Sequence, residues 1–148
     1  MLAQYIRYLA AMDVHTPEKR SYNMSCIRSK DTKPELLVRK FLFSKGLRYR
    51  LHSKNLPGKP DIVLSRKRTV IFIHGCFWHG HPACKYFKIP ETRREWWISK
   101  ITKTQQKDAE EILQLKAAGW KVIVIYECAL RPKFKDETLA NLFSTLQI

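Results

Sequence analysis

Residues 69–127 constrain the fold more than any other stretch. They open with TVIFIH (69–74) and close with KVIVIYE (121–127), two short runs rich in β-branched and aromatic residues that read as strands. Between them, residues 92–118 place Trp97, Ile101, Ile112 and Leu115 on one stripe at helical spacing, and Gly119 ends that helix just before the second strand. Strand, long helix, strand is a crossover, and a crossover makes its two strands parallel.

The remaining elements arrange themselves around that unit. DIVLS (61–65) is separated from TVIFIH only by Arg66-Lys67-Arg68, which predicts an antiparallel hairpin. A turn centred on Arg66-Lys67 sets Leu64 opposite Thr69, Ile62 opposite Ile71 and Asp61 opposite Phe72. His74 is then a diagonal neighbour of Asp61, roughly 7–8 Å away. LRYRL (47–51) reads as a further strand, and Pro57-Gly58 as a turn. KPELLVRKFLFSK (33–45) reads as a helix ending at Gly46, and residues 136–146 as a second, C-terminal helix. The expected fold is α/β: one domain with a small mixed β-sheet flanked by helices. A chain of 148 residues suits a single core. Residues 1–11, MLAQYIRYLAA, read as an extension ahead of Met12; Arg7 interrupts them and no basic segment precedes them, so they make a poor export signal. The domain is expected over 12–148. No apolar run approaches the ~20 residues that span a bilayer. A soluble, monomeric, cytoplasmic protein is expected.

Charge narrows the partner. Lys and Arg number 28 against 13 Asp and Glu, a net charge of +15, with the excess concentrated between Thr16 and Pro60. Such an excess suits a polyanion, nucleic acid ahead of acidic lipid or mere solubility.

The chemistry is concentrated in HGCFWHGHPAC (74–84), which holds three of the five histidines and two of the four cysteines. Cys76, His81 and Cys84 have zinc-ligand spacing. The crossover supplies a fourth ligand, because parallel strands end at the same sheet edge and Cys128 follows the second strand as Cys76 follows the first. Cys76, His81, Cys84 and Cys128 make a Cys₃His set typical of structural Zn²⁺; buried free thiols are the alternative. Cys26 reads as core, as do Trp96, Trp120 and Phe72. Asp61, after Pro60 at a strand start, offers a hard oxygen suited to Mg²⁺, or else merely opens the strand.

Pro60-Asp61 followed by a strand that ends in a candidate catalytic residue resembles the restriction-endonuclease-like nuclease superfamily. The usual acid-x-lysine tripeptide is replaced by Phe72-Ile73-His74. That departure resembles the very-short-patch mismatch-repair (Vsr) endonucleases. So do RSYNM (20–24), DT-x-x-E (31–35), PGKPD (57–61), HGCFWH (74–79), R-x-E-x-W (93–97) and ECALR (127–131). The resemblance covers about residues 12–132, and HGCFWH is its most specific motif. It implies a restriction-endonuclease-like domain in which Asp61 and the carbonyl of Ile73 hold Mg²⁺. It implies that His79 activates water with Glu35 orienting it, that His74 is a second catalytic histidine, and that Asp108 is an acid near the site. Asp108 lies eleven residues after Trp97, about three helical turns, on an otherwise apolar stripe; a buried acid needs a partner, and His74 is the expected one. Phe77, Trp78 and Trp97 are expected to intercalate into DNA rather than pack in the core.

The implied function is nicking of one DNA strand 5′ to the T of a T:G mismatch, the product of 5-methylcytosine deamination, with other mismatch-repair proteins as candidate partners. Two alternatives stand beside it. One is a non-catalytic zinc DNA-binding module; the other is a restriction-like nuclease with no mismatch preference.

Overall fold

β3 (Thr69–His74) is the strand on which the fold is organised. In the computed structural model, which describes residues 15–147, it pairs antiparallel with β2 (Ile62–Leu64). The register is Ile62–Ile71, Val63–Val70 and Leu64–Thr69, as the hairpin argument requires. On its other side it pairs parallel with β4 (Lys121–Tyr126) along all six residues, from Thr69–Lys121 to His74–Tyr126. A short β1 (Arg50–Leu51) adds antiparallel to β2, giving a mixed sheet of order β1-β2-β3-β4. The expected extension at residues 1–11 lies outside the described residues.

Period-two alternation along the strands builds two cores. Ile62, Leu64, Ile71 and Ile125 face one way. They pack with Val38 and Leu42 of α2 (Lys33–Ser44) and Leu139, Leu142 and Leu146 of α4 (Lys135–Gln147). Val63, Val70 and Phe72 face the other way, onto Leu115 of α3 (Arg94–Ala117). His74 is two residues beyond Phe72, so alternation aims it toward the α3 side. Arg68, in the left-handed region at φ 45°, closes the hairpin turn. Its guanidinium donates to the carbonyl of Ala118 at 2.6 Å, capping the C-terminus of α3.

Several expectations are corrected. Only two residues of LRYRL form a strand. A helix the sequence reading did not anticipate, α1 (Pro17–Ser25), buries none of its residues, and every residue from His15 to Lys30 is exposed. Cys26 is therefore on the surface, not in the core. Trp96 is also not core. It is 44% exposed at the start of α3, ahead of the buried stripe, with Arg93 and Lys100 over its ring at 4.8 and 5.0 Å. Phe72 is buried as expected, and Trp120 is half-buried against the α3-side core. Among the described residues, no helix is long and apolar enough to cross a membrane.

Candidate active site and metal cluster

Asp61 stands one residue before β2 and replaces a rung of the sheet. The β2–β3 ladder ends at Ile62–Ile71. The amide of Ile73, beyond that end, donates to Asp61 Oδ2 at 2.7 Å. Burial pushes the Asp61 carboxyl above its usual range, and the Ile73 amide offsets part of that rise. The side chain thus has one oxygen tied to β3 and one left for the cleft it lines. That cleft, about 660 Å³, brings together Glu35, Asp61, Ile73, His74, His79 and Asp108. Residues far apart in sequence converge there because the starts of β2 and α2 and the end of β3 meet at its rim, while the middle of α3 runs alongside. Arg28, Lys30, Lys54 and Lys59 also line it.

The two histidines form a stacked pair. Their rings lie 3.7 Å apart, 4° from parallel, at the end of β3 and in the loop after it. His79 Nδ1 is 2.6 Å from Asp108 Oδ2 on α3. The expected partner of Asp108, His74, is not the one it bonds; it bonds His79. Burial, then the neighbouring His79, pushes His74 down to about 4, with Asp108 opposing. His74 is therefore neutral at pH 7, and a positive charge gathered at His79 meets an uncharged ring. His74, His79 and Asp108 place ligand atoms within 4.8 Å of one another. The two rings lie in parallel planes, an arrangement that suits passing a proton better than enclosing an ion.

The expected bond between Glu35 and His79 is likewise not formed. Glu35 is the third residue of α2, in the T-x-x-E pattern of a capping box. Its carboxylate instead accepts from the amide of Asp31 at 3.0 Å and from the Thr32 hydroxyl at 2.9 Å. It also accepts from Arg39 Nη2 at 2.8 Å, four residues along the helix. These donors satisfy a nearly fully buried acid locally, and His79 lies instead against α3. Arg39 and His52 are the residues the sequence reading passed over. Arg39 left a signal: a charge on the buried face of α2, between Val38 and Leu42. His52, in a loop, left none.

Cys76, His81, Cys84 and Cys128 converge beyond the ends of β3 and β4, with ligand atoms all within 4.8 Å. None forms a disulfide. Cys128 Sγ lies 3.4 Å from His81 Nδ1. Without a cation, burial pushes the Cys76 thiol up to about 12. Four soft donors closing around one point, one of them buried, fit a tetrahedral divalent ion that supplies the charge thiolates need. The loop that carries Cys76, His81 and Cys84 reaches α3 at Gly80, whose carbonyl accepts from Gln105 Nε2 at 2.8 Å. Gly80 has φ 57°, and a Cβ there would meet Ile101 Cγ2 at 2.6 Å, so only glycine permits this approach.

Phe77, Trp78 and Trp97 form one half-buried cluster beside the cleft. Ring centroids lie 5.1 Å apart for Phe77–Trp78, 5.2 Å for Phe77–Trp97 and 6.1 Å for Trp78–Trp97. Trp78 also lines the cleft.

Comparison with known proteins bears on what such a site does. Residues 12–85 match the family model described as DNA mismatch endonuclease Vsr. The chain is 52% identical over 121 residues to a type II nicking enzyme, V.NmeAIP, of Neisseria meningitidis, covering 82% of this chain and 86% of the relative. It is 47% identical over 115 residues to the type II nicking enzyme V.XorIIP of Xanthomonas oryzae, covering 78% and 84%. It is 45% identical over 131 residues to the DNA mismatch endonuclease Vsr of Escherichia coli K12, covering 87% and 83%. With identity of this depth over most of its length, and with the cleft and cysteine cluster in place, the chain belongs to the Vsr family of DNA mismatch endonucleases.

Proposed function

We propose that this protein is a DNA endonuclease of Vsr-type repair that nicks one strand of duplex DNA 5′ to the T of a T:G mismatch, in the bacterial cytoplasm. The observation that carries the reading is a cleft in which an anchored carboxylate, Asp61, faces an imidazole–carboxylate pair, His79 and Asp108.

Asp61 and the carbonyl of Ile73 would hold Mg²⁺, with water and a substrate phosphate completing its shell. That ion would stabilise charge on the scissile phosphate and on the leaving 3′-oxygen. The proton chemistry belongs to the chain. Asp108 accepts a hydrogen bond from the Nδ1–H of His79 and so leaves the Nε2 lone pair to take a proton from the attacking water. The developing imidazolium is then held by the Asp108 carboxylate and stacked on neutral His74. Arg28, Lys30, Lys54 and Lys59 draw the phosphate backbone to the cleft by charge, without reading sequence. Cys76, His81, Cys84 and Cys128 would hold Zn²⁺, which would fix the loop that carries His79. Phe77, Trp78 and Trp97 act as a wedge into the base stack, which opens more easily at a mismatch than at a sound pair.

The test is nicking of otherwise identical duplexes bearing T:G, T:A or C:G at one position, with and without Mg²⁺, by the wild type and by Asp61→Asn. Mg²⁺-dependent cleavage confined to T:G, abolished in Asp61→Asn while binding persists, is the expected result. Equal cleavage of all three duplexes points instead to a nuclease without mismatch preference. Binding without cleavage of any points to a non-catalytic DNA-binding module.

A further inference from the structure

We propose that Arg39 and His52 are positioning residues that lock Glu35 into the cleft it shares with Asp61; the inference rests on the reading of Asp61 as the metal-holding carboxylate. Arg39 sits behind the cleft and His52 lines it. Arg39 Nη2 lies 2.8 Å from Glu35 Oε2 and 2.9 Å from His52 Nε2, and Nη1 bonds Asp31. A guanidinium only donates. His52 Nε2 is therefore the acceptor, and His52 is a neutral ring with its proton on Nδ1. The main-chain amide of His52 in turn donates to the carbonyl of Asp61 at 3.3 Å. The contacts run unbroken from Asp61 through His52 and Arg39 to Glu35, joining the strand that carries one acid to the helix that carries the other.

Two further observations point the same way. Asp31 and His52 both adopt left-handed backbone, at φ 54° and 45°, although neither is glycine. Such conformations are costly and persist where surrounding contacts impose them; here each strained residue places its side chain on Arg39. Arg39 is only 6% exposed and Glu35 only 3%. A buried ion pair seldom stabilises a core better than an apolar pair would, so its presence argues for placement over stability. The clamp thus holds the second carboxylate of the cleft in place.

The test compares His52→Ala, Arg39→Lys and Arg39→Met with the wild type in the zinc-loaded full chain, with circular dichroism as the folding check. His52 is partly exposed and neutral, so His52→Ala keeps the proposal testable if the Arg39 variants fail to fold. Two quantities are read: Mn²⁺ affinity of the DNA-free protein, from the electron paramagnetic resonance of the free ion, and the Mg²⁺ midpoint of nicking. Removing a residue that orients a metal-site group typically weakens metal binding or activity about 10- to 100-fold. A shift of that size in both quantities is expected, with the rate at saturating metal falling less. Arg39→Lys should restore little, because one ammonium does not reach Asp31, Glu35 and His52 together. Wild-type metal responses in folded His52→Ala would overturn the proposal, as would lowered thermal stability with unchanged metal affinity. Asp61→Asn separates the two levels. If it still binds Mn²⁺ and nicks, the reading of Asp61 fails; if it is inactive while the clamp variants behave as wild type, only the clamp fails.

Discussion

Replacing Asp108 with Asn tests the proton chemistry most directly. The change keeps the shape of the side chain and removes only its charge and its purely accepting character. His79 Nδ1 lies 2.6 Å from Asp108 Oδ2, with the two side chains 27% and 20% exposed, so water screens the pair only in part. A hydrogen bond to a charged partner contributes about 1.5–3 kcal/mol. If it strengthens as His79 gains its proton, its loss slows the chemical step about 10- to 150-fold. The amide adds to this, because it donates to Nδ1 and favours the tautomer that carries its proton on Nε2, the wrong state for a base.

The assay is single-turnover nicking of a T:G duplex at saturating Mg²⁺, for Asp108→Asn, His79→Ala and the double variant. The double variant is expected to match His79→Ala, since Asp108 acts through that ring. Glu35→Gln combined with His79→Ala should instead multiply the two losses, because Glu35 bonds Asp31, Thr32 and Arg39 rather than His79. Multiplicative losses for Asp108 and His79, or an Asp108→Asn enzyme at full rate, would refute the pairing.

Cys128→Ser is expected to remove the bound zinc and lower the thermal midpoint, because metal binding in a closed site contributes directly to folding; elemental analysis of protein purified without chelator gives the stoichiometry, expected to be about one zinc per chain in the wild type. Trp78→Ala should weaken binding to T:G duplex by roughly 5- to 150-fold, on the scale of about 1–3 kcal/mol per stacked base, and binding to paired DNA much less. Equal losses on both duplexes, measured at one salt concentration, would leave Trp78 a general contact. His74, held at about 4 in the fold against an ordinary 6.5, gives the unfolded chain the greater proton uptake between those values. Its contribution to stability is complete above pH 6.5 and is lost as pH falls toward 4, by about 3 kcal/mol in all. Urea unfolding of the wild type and His74→Asn across that window should show the wild type losing the more stability; parallel pH profiles would contradict the shift.

The hairpin register was legible in the sequence because a side-chain period of two allows little freedom. Once Arg66-Lys67 is the turn, Ile62 must meet Ile71, and Asp61 must fall on the same face as His74. The crossover was legible for a similar reason, and it places Cys76 and Cys128 at one sheet edge. What failed was partner choice among acids. Glu35 and Asp108 both sit on helices that line the cleft, and spacing along a helix fixes the face an acid occupies but not which side chain across the gap reaches it. Local donors decided both cases. Glu35 was claimed by its own helix start and by Arg39, and Asp108 was left to the nearer imidazole. Trp96 failed differently: it lies one residue from Trp97, about 100° around the helix from the stripe that buries Ile101 and Leu115.

The interleaving of HGCFWHGHPAC follows from its turns. The amide of His79 donates to the carbonyl of Gly75 and that of His81 to the carbonyl of Cys76, so the loop coils back on itself. Residues five apart come abreast. His74 stacks on His79, and Cys76 joins His81 in the cysteine–histidine cluster. Tyr126, paired with His74 across β3 and β4, ties the two sets together. Its ring lies flat on His81 at 3.7 Å and meets His74 edge-on at 5.8 Å. A continuous line of rings therefore runs from the cysteine cluster through His81, Tyr126 and His74 to His79. A metal that fixes His81 fixes the far end of that line as well. On this reasoning metal loss should inactivate before it unfolds: mild chelation should raise the mobility of the His79 loop, and slow nicking, at temperatures where β3 and β4 remain paired. Amide hydrogen exchange measures both regions in one experiment, and simultaneous loss of protection in the loop and the strands would refute it.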